Sequence, residues 1–114
     1  MTKLPPQTLE GTYKLLYIDA MTPVKFFTEI ANRDGKTLEE VLSSFNLTEN
    51  TADQFVVVKL DPDGKGSATY AGETGEITWT RNGDTVTINS TDIDYRDGKL
   101  YFRDMGGVEY VLGK

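Results

Sequence analysis

Apolar and polar positions alternate with a period of two over most of this chain, and near its start the period lengthens to three to four. In "LEGTYKLLYID", residues 9–19, Tyr13, Leu15 and Tyr17 share one face, while Glu10, Thr12 and Lys14 begin the other, which predicts a strand. "MTPVKFFTEIANRDG" then places Val24, Phe27, Ile30 and Ala31 on one helical face, with Thr22 as N-cap, Pro23 at the first helical position and Gly35 as C-cap. "KTLEEVLSSFN" opens with Thr37 and has Glu40 three residues on, a capping box, followed by Leu38, Val41, Leu42 and Phe45 at helical spacing. The pattern predicts two short amphipathic helices, about 23–33 and 37–46, joined by a tight turn. From residue 54 the period returns to two. "QFVVVKL", "SATYAG", "EITWT", "DTVTINS", "DIDY", "KLYFR" and "VEYVLG" are strand segments separated by glycine-bearing turns, with Asn82-Gly83 the strongest hairpin signal.

One face of this series is apolar throughout. Tyr13, Leu15, Tyr17, Val58, Tyr70, Trp79, Tyr95 and Phe102 lie on it, and Thr78, Thr80, Thr85, Thr87, Asp92, Asp94 and Arg103 lie on the other. Short turns make neighbours antiparallel, and a one-sided meander that closes removes its exposed edges. The expectation is a mostly β fold: an antiparallel up-and-down barrel of about eight strands with a two-helix insertion after the first strand. It forms one domain over 1–114, with a strand at 9–19, a helix pair at 22–47 and a meander at 54–113. The helix pair then caps one open end.

Composition removes most chemistries. The chain has no cysteine and no histidine, so disulfides, thiolate or imidazole catalysis and the common zinc ligand sets are excluded. A formal charge of −6 argues against nucleic acid and anionic membrane surfaces. No apolar run approaches the ~20 residues of a membrane span. The start, "MTKLPPQTLEG", is polar and proline-broken, with no signal-peptide pattern. Asp61 and Asp63 fit the first two ligand positions of a calcium loop, but Lys65 and Gly72 stand where further ligands belong, so the stretch reads as a hairpin turn. Asp92, Asp94 and Asp97 read as a solvated acidic face rather than a buried carboxylate pair suited to acid–base work. No cofactor and no metal are implied.

The order of the motifs resembles the calycins, the lipocalins and fatty-acid-binding proteins. Gly11-Thr12-Tyr13 matches the lipocalin Gly-x-Trp with tyrosine for tryptophan. Asp63-Gly64, Thr78-Trp79, Asp97-Gly98-Lys99-Leu100 and Tyr110 follow in the order seen in small bacterial lipocalin-like domains. The helix pair sits where fatty-acid-binding proteins carry their lid. Those proteins grip a carboxylate with Arg-x-Tyr in the last strand, whereas Val108-Glu109-Tyr110 here lacks the arginine. The resemblance implies a barrel, a binding role rather than an enzymatic one, and a secreted or cell-envelope setting.

Two functions fit. One is non-enzymatic binding of a small hydrophobic ligand in the barrel mouth under the helices. Tyr17, Phe27, Val58, Tyr70, Trp79, Tyr95 and Phe102 are its candidate lining, and only tyrosine hydroxyls and the Trp79 indole are available to orient it. The other is a structural or protein-interaction module whose barrel is filled by its own side chains.

Overall fold

The structure, a computed structural model, describes residues 9–114. The polar stretch at positions 1–8 lies outside the described residues. Strand β1 (Gly11–Ile18) is followed by helices α1 (Pro23–Asp34) and α2 (Leu38–Ser43), then a 3₁₀-helix over Glu49–Phe55. Strands β2 (Val56–Leu60), β3 (Lys65–Tyr70), β4 (Glu73–Asn82), β5 (Thr85–Ile88), β6 (Thr91–Arg96), β7 (Lys99–Arg103) and β8 (Glu109–Gly113) complete the chain. Each strand pairs antiparallel with the next, and β8 pairs back onto β1 at Leu15↔Leu112 and Ile18↔Tyr110. The result is a closed eight-stranded barrel in which strand makes up 47% of the described residues. Barrel and inserted helices together are compatible with a calycin-like fold.

The helices form for local reasons and hold for tertiary ones. Thr22 caps α1 through its side chain, Pro23 opens it, and Gly35 ends it in a left-handed conformation. In α2 the Thr37 hydroxyl accepts from the Glu40 N–H at 3.1 Å while the Glu40 carboxylate accepts from the Thr37 N–H at 3.0 Å. Helices this short are marginal alone. They persist because Phe27, Ala31, Val41 and Leu42 are buried, with α1 packed on β1 and the 3₁₀-helix, and α2 packed on α1 and the 3₁₀-helix. The 3₁₀-helix packs on β1, β2 and β3 and α1 packs on β1, so the insertion stands over one side of the mouth.

Two expectations need correction. Gln54 and Phe55 belong to the 3₁₀-helix rather than to the strand, which starts at Val56. The β-branched run set the strand, and the 3₁₀ turn before it carries Phe55 down into the core. Tyr17 does not share a face with Tyr13 and Leu15. The β1–β8 register slips between Leu15 and Tyr17, so Leu16 is an extra residue and the alternation reverses. Ile18 then points inward at 1% exposure and Tyr17 outward at 46%.

The turns confirm the meander. Ala71–Gly72, Asn89–Ser90 and Asp97–Gly98 are two-residue loops with positive φ at both positions, the conformation whose twist suits a tight hairpin. Asn82 pairs with Thr85, so the loop predicted at Asn82-Gly83 is shifted by one residue to Gly83–Asp84. Inside the barrel, Tyr13, Leu15, Leu60, Val86, Leu100 and Leu112 are each sealed from solvent. These large side chains fill the middle of an eight-stranded barrel.

Candidate functional site

The two ends of the barrel differ. At the helix-bearing end, a continuous line of aromatic rings runs from the insertion to the last strand. Phe27 packs edge-on against Phe55 at 5.0 Å between centroids, and Phe45 does so at 5.1 Å. Phe55 meets Tyr70 at 5.2 Å, and Tyr70 meets Tyr110 at 6.4 Å. Tyr110 stacks face to face on Phe102, 4.8 Å apart and 5° from parallel. Tyr70 and Tyr110 belong to β3 and β8, which have β2 and β1 between them in the barrel, so the pair spans part of the mouth.

A short polar chain follows these rings. The Tyr70 and Tyr110 hydroxyl oxygens lie 3.4 Å apart, and the Tyr110 hydroxyl donates to Asp104 Oδ2 at 3.1 Å. The other carboxylate oxygen of Asp104 accepts from the N–H groups of Gly106 (2.9 Å) and Val108 (3.0 Å), which clips the β7–β8 loop into shape. Burial, then the Tyr70 hydroxyl and Asp104, push the Tyr110 pKa well above that of an ordinary phenol. The shift favours the protonated hydroxyl, the form that donates to Asp104.

The opposite end is closed by Trp79. Its indole N–H is shared between the carbonyl oxygens of Asp61 (3.1 Å) and Lys65 (3.0 Å), on the β2–β3 turn. Tyr13 donates its hydroxyl to the Leu9 carbonyl. Burial first, and then the neighbouring Tyr95, raise the Tyr13 pKa far above the usual phenol range. The buried Tyr95 hydroxyl, although close enough to Tyr13 to influence it, has no partner in hydrogen-bond geometry among the described residues. Arg81 lies over the Tyr95 ring at 5.2 Å.

The seven sequence-predicted site residues thus fall in five places. Tyr70 and Phe102 stand on the helix-bearing rim, Tyr70 with 54% of its surface exposed and Phe102 half-buried. Phe27 is sealed beneath the helices, and Val58 is core. Trp79 and Tyr95 belong to the far end, and Tyr17 lies on the outer wall. They do not converge on one cavity. Phe102 borders a surface cleft of about 200 Å³ and Tyr95 another of about 320 Å³, both among charged side chains.

Sequence reasoning did not single out Phe45, Phe55, Asp104 or Tyr110 for the rim. The one local signal was Asp104 two residues before Gly106-Gly107, the spacing of a side chain that caps its own turn. Among the described residues no group of three or more acidic side chains is placed to hold a metal ion. No described helix is long and apolar enough to cross a membrane. Comparison of the chain with family models, curated proteins and solved structures finds no match in any of the three.

Proposed function

We propose that this protein is a non-enzymatic, lipocalin-like binding protein that holds a small hydrophobic ligand on the aromatic rim of its barrel, against Tyr70, Phe102 and Tyr110 and beside the helix pair. The observation that carries this reading is the half-open Tyr70, an aromatic ring on the barrel's inner face that remains exposed while its neighbours Phe55 and Tyr110 are buried. Exposed aromatic surface next to a few placed hydroxyls is the usual make-up of a small-molecule site. Large side chains in the middle of the barrel favour the rim over the interior. A neutral aromatic probe, 2-naphthylmethanol, is expected to perturb the ¹H–¹³C signals of Tyr70, Phe102 and Tyr110. Tyr70→Ala is expected to weaken its binding by about fivefold or more, the scale of one aromatic contact. Unchanged affinity in both Tyr70→Ala and Phe102→Ala would remove the rim from consideration.

A second reading is a protein-interaction module with a filled barrel. Tyr17 favours it, because that ring stands exposed on the outer wall just past the bulge, in one cross-strand row with the buried Val111 and the half-buried Tyr101.

A further inference from the structure

The rim is not only aromatic; among the described residues it also carries two carboxylates that form no ion pair. Glu73 is the cross-strand partner of Tyr70, so the two side chains leave the hairpin on the same face. Asp104 touches the Tyr110 hydroxyl from the other side. Neither carboxylate forms an ion pair among the described residues, and both are exposed. The nearby arginine of β7, Arg103, is matched to Glu109 at 3.8 Å. The insertion adds to the same field: positions 19–53 carry seven acidic and three basic side chains. The far end is different. Lys59, Lys65, Arg81, Arg96, Lys99 and Lys114 gather around the turns there and balance its acids.

Resting on the rim reading above, we infer that the ligand class is an organic cation: an ammonium group carried on an aromatic or alkyl body. Three physical terms point the same way. The exposed ring of Tyr70 and the half-buried ring of Phe102, which stacks on the buried Tyr110, offer the negative side of their quadrupoles, which attracts a cation and repels an anion. Glu73 and Asp104, unpaired and on either side of the tyrosine pair, add Coulomb attraction that needs no rearrangement. The surplus of acid in the insertion biases approach toward positively charged solutes. A carboxylate ligand would meet all three as repulsion, and the nearby guanidinium, Arg103, is already matched to Glu109.

The test uses three probes with one shared ring system, (2-naphthylmethyl)trimethylammonium, 2-naphthylmethanol and 2-naphthylacetate, titrated into the full chain and followed by the aromatic ¹H–¹³C signals of Tyr70, Phe102 and Tyr110. The cation is expected to bind about tenfold more tightly than the anion at low salt, with the alcohol between them and the difference shrinking as salt is added. Glu73→Gln, on a hairpin where its side chain makes no described hydrogen bond, should reduce the cation's advantage by itself. Adding Asp104→Asn, which keeps one acceptor oxygen for the loop N–H groups, should reduce it further. Equal affinity for all three probes, or an advantage that survives both substitutions, overturns the charge inference and leaves the rim as a neutral hydrophobic site. If none of the three probes moves the rim signals at millimolar concentration, the rim reading fails, and the inference with it.

Discussion

At Gly66 the chain has no room for a side chain. A Cβ built there would stand 2.0 Å from the carbonyl oxygen of Lys59, because β2 and β3 approach closely where the strands bend toward the turn. Gly75, in the neighbouring strand, has nothing within 4 Å of the same position. Gly66→Ala is therefore expected to destabilise the fold by about 2–4 kcal/mol, whereas Gly75→Ala stays within about 0.5 kcal/mol of the parent. Urea unfolding of the two variants checks the contrast, and equal stabilities would show that the strand relaxes around the added methyl. Both residues look alike in the sequence, each a glycine in an alternating stretch. The close approach depends on how one strand lies against the next, which a local pattern does not encode. Tyr17 is lost to sequence reading for a related reason. Strict alternation assigns it inward, and only the slip against β8 reveals Leu16 as an inserted residue.

Elements were more legible than their edges. Eight strands and two helices follow from periodicity, caps and turn residues, since each of these is a local preference that the tertiary structure agrees with. The 3₁₀-helix escaped because "ENTADQF" has no apolar period; tertiary contact holds it, through Ala52 and Phe55 in the core. The candidate site escaped for the same reason. Its rings come from the 3₁₀-helix, β3, β7 and β8, and nothing in any single segment marks them as neighbours. The capping box of α2 offers a test at this scale. Hydrogen bonding to the Thr37 backbone and hydroxyl holds the Glu40 carboxyl below the ordinary glutamate range. A carboxyl whose pKa is depressed by folding stabilises the fold above its unfolded pKa, and the contribution disappears as pH falls through the folded value. Acidification from pH 6 toward 3 is thus expected to lower amide protection factors, taken relative to the intrinsic exchange rate at each pH, in α2 before it affects β5 or β8. In Glu40→Gln, which retains an acceptor for the Thr37 N–H, that early loss should be absent. Equal acid sensitivity of α2 in both chains would detach the cap from the effect.

The whole molecule is a ring of strands, so its first and last strands are as much neighbours as any other pair. Lys114 lies over Gly11 so closely that a Cβ on that glycine would be 3.0 Å from the lysine Cε. A chain rejoined from Lys114 to Leu9 by a short Gly/Ser linker, and opened between Gly83 and Asp84, is expected to fold with a single cooperative denaturant transition. A broad or multistep transition would mean that the β1–β8 seam depends on chain order rather than on pairing. The pinning of Trp79 at the far end has a practical outcome of its own. The sole tryptophan sits across the barrel from every tyrosine of the rim, hydrogen-bonded to a turn that no guest there would touch. Its emission is a gauge of whether the floor is intact, and it stays silent when the other end is occupied. One sample thus has two separate reporters, so a compound that merely unfolds the protein is told apart from one that binds it.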